Sequence, residues 1–450
     1  MREQNMAERN TAETVHEEYF RSYADVGVHE LMIKDKPRTL AYKQFLEKNV
    51  NLIKNKVVLD VGAGTGILSL FAARSGARKV YAVEASDIAN LCQEIVKVNK
   101  YERVVTVIKG VMETIELPEK VNVIISEWMG FYLLHESMLE SVLYARDKWL
   151  KDDGILLPSH AAIYACPVNM TEYCKENVDC WTDVYDFDFS PLFEQKVAAL
   201  LQQPAVLHLK EDQLLSNCEL LAKFDLKSME VADIEEIEEQ MSFVVNSDSE
   251  LHGFALWFDV RFTPDLNDEQ YGLTCMEKVR LEKDETHSKN TDKVMNGSNV
   301  CHVTLNTSPV APETHWKQTV CFLPASVSVK KSETIYCRIS LSQEPSNKRH
   351  YNISLEMLED FESSDSELED EEDAENHPVP CNCGAGRCNL ILAIMEKYDA
   401  EQTELEMEAE FTEVSAEVQA AQTLDNDSSI LESDLSAKDD SLSNSTKDDK

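Results

Sequence analysis

No stretch of the chain comes near the roughly 20 consecutive apolar residues that a membrane-spanning helix needs. Residues 1–10 are polar where a secretory signal would carry an apolar core. Neither a membrane nor the secretory route is therefore expected. The 12 cysteines, scattered through apolar stretches as at Cys92, Cys166 and Cys321, read as reduced thiols of an intracellular protein. Positive charge is the second shortage: 43 Lys and Arg stand against 83 Asp and Glu, a formal net charge of -40. Such a surface repels phosphates, so direct binding of nucleic acid is not expected, whereas basic proteins are attracted at long range. The excess is concentrated at one end, with 28 acidic and 5 basic residues from Glu359 onward. No internal repeat and no clear basic import signal is present.

What is present is an alternation of two textures. Residues 16–35 have helical spacing of apolar side chains, and Lys36-Pro37 should end or kink that stretch. Apolar runs at 57–61, 80–84, 104–108 and 121–125 then alternate with helical patterns at 67–75, 88–99 and 138–150. Strand–helix alternation of this kind predicts a parallel, doubly wound sheet, with residues 154–158 leading out of it. Beyond Pro158 the pattern turns to β-type segments, as at 161–166, 252–262, 316–323 and 334–340, which predicts an all-β second domain, sandwich or barrel. Residues 265–298 read as a polar insertion. The tail beyond 359 reads as disordered, rich in Ser, Asp and Glu.

The sequence Asp60-Val61-Gly62-Ala63-Gly64-Thr65-Gly66 follows a predicted strand and opens a predicted helix. Glycine lets the backbone turn sharply and approach a ligand, and the helix start behind it offers unpaired N–H groups. Glu84 comes 24 residues after Asp60, at the end of the second strand, where a carboxylate can accept from both hydroxyls of a ribose. The Gly-x-Gly-x-Gly spacing and the acid just before the turn disfavour a pyrophosphate and suit the ammonium of a methionine moiety. A nucleoside-type cofactor, S-adenosylmethionine, is expected.

Ser126-Glu127-Trp128-Met129-Gly130 begins where the fourth strand stops, and Glu136 follows nine residues after Glu127. A hairpin through Gly130 would bring both carboxylates to one point beside the cofactor crevice. Like charges in an apolar setting repel, so their convergence calls for a cation. The planar fork of a guanidinium fits two carboxylates and would be polarised by them, leaving one terminal nitrogen more nucleophilic. His315, in Thr314-His315-Trp316, is a candidate for proton transfer. His377, Cys381, Cys383 and Cys388 lack the usual Cys-x2-Cys spacing of a zinc site and read as flexible thiols, so no metal is expected.

At these residues the chain resembles the type I protein arginine N-methyltransferases, from about Tyr19 to Leu358. The resemblance rests on Tyr19-Phe20-Arg21-Ser22-Tyr23, His29, Met32, Arg38-Thr39, the glycine loop, the two-glutamate segment and Thr314-His315-Trp316. Segments 80–86, 133–139 and 252–258 are most similar to the sixth branch of that family, nuclear enzymes acting on histones. It implies residues 1–55 as N-terminal helices and a cofactor lid, 56–158 as a Rossmann-like cofactor domain, and 159–358 as a β-barrel substrate domain. It also implies a homodimer made through an arm near 168–191, with Tyr173, Trp181, Tyr185 and Phe187 as candidate contacts. Tyr23, His29, Met32, Arg38, Asp60, Gly62, Gly64, Glu84, Met112 and Glu113 would bind the cofactor. Arg38 would meet its methionine carboxylate. Glu127 and Glu136 would clamp the substrate guanidinium, with Tyr19, Met129 and Trp316 beside it. Asp35 and His315 would handle the proton, and Met32 points to asymmetric dimethylation. Two other readings stay open: a nicotinamide-dependent oxidoreductase on a similar sheet, and a catalytically weak scaffold that binds basic proteins through its acidic surface and tail.

Overall fold

The computed structural model describes residues 25–182, 184–263 and 300–359. Tyr19, Tyr23, the insertion at 265–298 and the tail with its His377–Cys388 cluster lie outside the described residues. Helix α1 (Val26–Lys34) starts at Asp25, whose side chain accepts from the Gly27 N–H, and stops at Asp35. Asp35 then caps α2 (Lys36–Lys48) by accepting from the Arg38 N–H at 3.0 Å, with Pro37 in the first turn. A proline there has no hydrogen bond to lose, so the expected break is a restart rather than an end. A short α3 (Val50–Ile53) leads to the sheet.

Strand β1 (Val57–Val61) is buried along its whole length, Asp60 included, as a central parallel strand covered on both faces must be. On one side lie β2 (Lys79–Glu84) and β3 (Val105–Lys109); on the other lie β4 (Val121–Ser126) and β5 (Leu150–Leu157). All four pairings are parallel. The helices α4 (Ile67–Arg74), α5 (Ile88–Val98) and α6 (Leu139–Trp149) connect them. The order β3-β2-β1-β4-β5 reverses direction at β1 and β4, and a crevice opens at their carboxyl ends. One expectation is corrected here. Of residues 154–158, all but Pro158 belong to the sheet's fifth strand, Ile155 pairing with Val123. The charged start of β5, Lys151-Asp152-Asp153, hides it from a hydrophobicity reading.

The second half is antiparallel, and the change falls between Leu157 and His160. Strands β6 (His160–Val168), β7 (Ala205–Leu207), β8 (Glu219–Asp225), β10 (Ser249–Phe262), β11 (Val303–Asn306) and β12 (Gln318–Val329) form one sheet, with β10 at its centre. Strands β9 (Glu236–Val244), β13 (Thr334–Glu344) and β14 (Asn347–Leu358) form another. Burial alternates along β13, as one buried face demands. The two halves share a core: Phe262 of β10 meets the Tyr42 ring of α2 edge-on at 4.7 Å, and neither is exposed. Each such buried aromatic contributes about 1.5–3 kcal/mol through area alone.

Between β6 and β7 run α7 (Thr171–Asn177), a 3-10 turn (Cys180–Thr182) and α8 (Pro191–Gln202). Neither helix has a fully buried residue. The four aromatic candidates of the arm divide. Tyr173 stacks on Phe322 at 5.5 Å, and Trp181 lies under Lys196, so both pack on their own chain. Tyr185 is 91% exposed and Phe187 68% exposed.

Candidate functional site

A cavity of about 260 Å³ lies at the crevice between β1 and β4, walled by α1, α2 and the segment before β12. The glycine loop forms its floor. Gly62, Gly64 and Gly66 all have positive φ, at 72°, 54° and 86°. At Gly64 a side chain would be strained by that φ and would press on the His29 ring at 3.1 Å, so glycine is needed twice over. The Gly64 N–H donates to Glu84 Oε2 at 2.8 Å, while Oε1 accepts from the Ser86 N–H at 2.8 Å. Glu84 thus ties the loops after β1 and β2 together. A carboxylate has about four acceptor positions, so two remain for hydroxyl donors.

Farther along the wall stand Met112 and Glu113, just after β3, with Glu113 accepting from the Ser141 hydroxyl at 2.7 Å. His29 and Met32 come from α1, and Arg38 from α2. Asp60 is a correction: it does not line the cavity but is fully buried behind the glycine loop. Its Oδ2 accepts from Ser69 on α4 at 2.7 Å, and its Oδ1 has no partner among the described residues. Burial, with Glu84 nearby, pushes its carboxyl up to about 7. Its place at the last-but-one position of β1 points the side chain under the helix rather than out at the strand end.

The two glutamates do come to one cavity. Glu127, first residue after β4, is 7% exposed at its side chain, and its Oε2 accepts from Arg38 Nε at 2.9 Å and Nη2 at 2.6 Å. Burial works against the charge of Arg38, and the Glu127 carboxylate more than offsets it. Arg38, expected to meet a cofactor carboxylate, here grips Glu127 and the Met32 carbonyl. The other oxygen, Glu127 Oε1, is buried with no partner among the described residues.

Between the glutamates the chain folds into the expected hairpin. Gly130 and Leu133 exchange backbone hydrogen bonds at 2.9 and 3.1 Å. A Cβ on Gly130 would fall 1.5 Å from the His135 carbonyl, so no other residue fits. Tyr132, Leu133 and Glu136 take positive φ, uncommon for such side chains and costing on the order of 1–3 kcal/mol each. Glu136 differs from its partner in being half exposed, with Oε1 3.7 Å from His350 Nε2. Its backbone N–H donates to the Arg349 carbonyl at 2.7 Å, and Arg349 Nη1 donates to the Ser137 carbonyl at 2.7 Å. The start of β14 therefore clasps the hairpin. Sequence reasoning missed Arg349, His350 and His135. The first two sit more than 200 residues from the hairpin with no motif around them.

Asp35 and His315 also meet as expected. Asp35 Oδ2 accepts from His315 Nδ1 at 2.6 Å and from the His315 N–H at 2.8 Å. Burial raises the Asp35 carboxyl, and the hydrogen bonds from His315 and Arg38 carry it below its ordinary range. Asp35 lies behind the wall, while His315 and Trp316 line it. The Trp316 indole donates to the Met129 carbonyl at 3.2 Å, fixing Met129 in the wall.

Fold and cavity define the class, an α/β unit of methyltransferase type joined to an antiparallel unit. Residues 39–156 match the family described as Ribosomal protein L11 methyltransferase (PrmA), and residues 159–291 and 295–361 match the Arginine methyltransferase oligomerization subdomain. A probable protein arginine N-methyltransferase 6 of Arabidopsis thaliana is 39% identical over 343 residues, 75% of this chain and 78% of its own. Protein arginine N-methyltransferase 1 of Oryza sativa subsp. indica is 38% identical over 340 residues, covering 75% of this chain and 77% of its own. Among solved structures, the Trypanosoma brucei PRMT1 enzyme–prozyme heterotetrameric complex with AdoHcy superposes with a TM-score of 0.63 at 34% identity, covering 76% of this chain and 96% of that one. A structure of PRMT6 with SAH gives 0.57 at 27% identity, covering 74% and 100%. The chain belongs to the protein arginine N-methyltransferase family.

Proposed function

We propose that the protein transfers methyl groups from S-adenosylmethionine to guanidinium nitrogens of arginine in basic proteins, histones in the nucleus among them, giving monomethyl and asymmetric dimethyl arginine. The observation that carries this reading is the buried Glu127 Oε1, an unpartnered acceptor in a cavity that Glu136 also lines. A buried carboxylate oxygen without a donor is costly, and a guanidinium fork supplies the donors. The residues fit the methyl donor as well. Glu84 retains acceptor capacity for ribose hydroxyls, the glycine loop admits close approach, and the Arg38 guanidinium lines the same cavity. When bound, S-adenosylmethionine supplies an electrophilic methyl group on a sulfonium.

The chain's own side chains do the rest. Glu84 would hold the ribose, Met112 and Glu113 would flank the base, and His29, Met32 and Arg38 would hold the methionine end. Asp60 acts from behind by fixing the loop to α4. Glu127 and Glu136 orient the guanidinium and concentrate its charge on the nitrogens they face, leaving one terminal nitrogen to attack in line. His315, its Nδ1 held by Asp35, offers Nε2 to take the proton that the nitrogen releases. No covalent enzyme intermediate is needed, so orientation and fixed charge carry the catalysis. Met32, whose identity points to asymmetric dimethylation through the family resemblance, lines this cavity. A homodimer through the exposed Tyr185 and Phe187 is part of the same proposal.

The test is to incubate the full chain with labelled S-adenosylmethionine and an arginine-containing histone-tail peptide, then fragment the product by mass spectrometry. Label on arginine, with both methyl groups on one nitrogen, is expected. Label absent from arginine contradicts the proposal, and label split between the two terminal nitrogens contradicts the asymmetric product.

A further inference from the structure

Beside the mouth of the cavity two imidazoles and a carboxylate converge from different parts of the chain. His135 and Glu136 stand on the hairpin, and His350 stands on β14. One ligating atom from each lies within 4.8 Å of the other two. The rings of His135 and His350 are stacked, with centroids 4.8 Å apart and planes at 21°. His135 Nδ1 is moreover buried with no hydrogen-bond partner among the described residues. Buried polar atoms are rarely left so.

Two nitrogens and one carboxylate oxygen suit a borderline divalent ion and leave a fourth, tetrahedral position for water. Magnesium and calcium prefer an all-oxygen shell and are disfavoured. Ligands about 2.1 Å from one tetrahedral ion lie about 3.4 Å apart. The 4.8 Å spread must therefore close by roughly 1.4 Å. Side chains 46% and 42% exposed, those of Glu136 and His350, have room to make that move.

We propose that His135, Glu136 and His350 form an inhibitory site for a zinc-type divalent ion. The inference rests on the reading of Glu136 as one arm of the guanidinium clamp. An ion here draws that carboxylate towards β14 and neutralises it, so the substrate loses one of its two anchors while the donor pocket stays intact. The ion would bridge the hairpin and the β14 strand, adding to the clasp that Arg349 already makes.

The experiment uses the full chain, with free Zn2+ set by a buffering chelator. Zinc binding is read by competition with a chromophoric chelator, and methyl transfer is read on a peptide in the same mixtures. Wild type should bind one equivalent of zinc more than either His135→Gln or His350→Gln, and its turnover should fall at least tenfold and recover on adding EDTA. His350→Gln should need at least tenfold more free zinc than wild type for the same fractional inhibition, each measured against its own zinc-free turnover. If both variants bind as much zinc as wild type and are inhibited at the same concentration, the ion acts elsewhere, at the cysteines for instance, and the proposal fails. If zinc binds at this site without slowing turnover, the inhibitory role fails. The assignment of Glu136 is tested separately without metal: normal turnover by Glu136→Gln would overturn that assignment and leave the zinc-binding result standing.

Discussion

Asp60 lies under the glycine loop with one oxygen on Ser69 and the other without a partner among the described residues, and burial pushes its carboxyl up to about 7. In an unfolded chain the same group titrates near 4. The folded state therefore holds its proton more tightly. Between about pH 4 and 7 the unfolded chain gives up the proton first, and stability falls as pH rises; above 7 the loss is complete and flat. A shift of this size corresponds to roughly 4 kcal/mol. Asp60→Asn should flatten this part of the donor-free melting curve, and its advantage over wild type should be larger at pH 8 than at pH 5; a variant with the wild-type slope would show that other groups set it. Asp35 has the opposite sign, its carboxyl held low by His315 and Arg38. It also caps α2, a task that asparagine performs nearly as well. Asp35→Asn should therefore leave helix and donor affinity in place while lowering kcat by about 10²-fold, the lower end of general-base effects. Equal losses in kcat and in S-adenosylhomocysteine affinity would instead mark a structural role.

The hairpin of residues 130–136 is the element on which the site depends, and it is held from outside. Glu136 in the left-handed region is strained, and the clasp by Arg349 opposes its relaxation. Arg349→Ala should lower kcat by about tenfold with an unchanged donor affinity and a stability loss of about 1 kcal/mol, the usual worth of a hydrogen bond. An unchanged kcat would show that the loop keeps its shape unaided. Much of this element was legible in the chain: Glu127 at a strand end, Gly130 at the turn, and Glu136 nine residues on. The clasp was not, because the start of β14, Asn347-Lys348-Arg349-His350, is polar and reads as a turn. The same blindness hid β8, β9 and β5, whose outward faces carry Glu, Lys and Asp. Their apolar residues show only against the buried face that the tertiary fold supplies. Asp60 misled differently: position before the glycine loop suggested contact with a ligand, whereas alternation along β1 turns the side chain to Ser69.

The described residues belong to one compact unit, in which the parallel and antiparallel halves share a core and the cavity opens at their junction. Tyr185 and Phe187 stand out from that unit as exposed aromatics on a segment with little burial of its own. Exposed aromatics of this kind anchor interfaces, each worth about 2 kcal/mol or more when central. The double substitution Tyr185→Ser and Phe187→Ser should weaken self-association at least about 30-fold in sedimentation velocity; wild type running as a monomer throughout would rule out that arm as a dimer contact. For the whole molecule the governing idea is that one arginine side chain is gripped from both ends of a single hairpin beside a methyl donor. Single-turnover methyl transfer by Glu136→Gln, with S-adenosylhomocysteine affinity measured on the same sample, tests this most directly. The account predicts a rate reduced on the order of 10²–10³-fold, the cost of deleting one preorganised electrostatic group, with donor affinity within twofold of wild type. A rate within tenfold of wild type would contradict it.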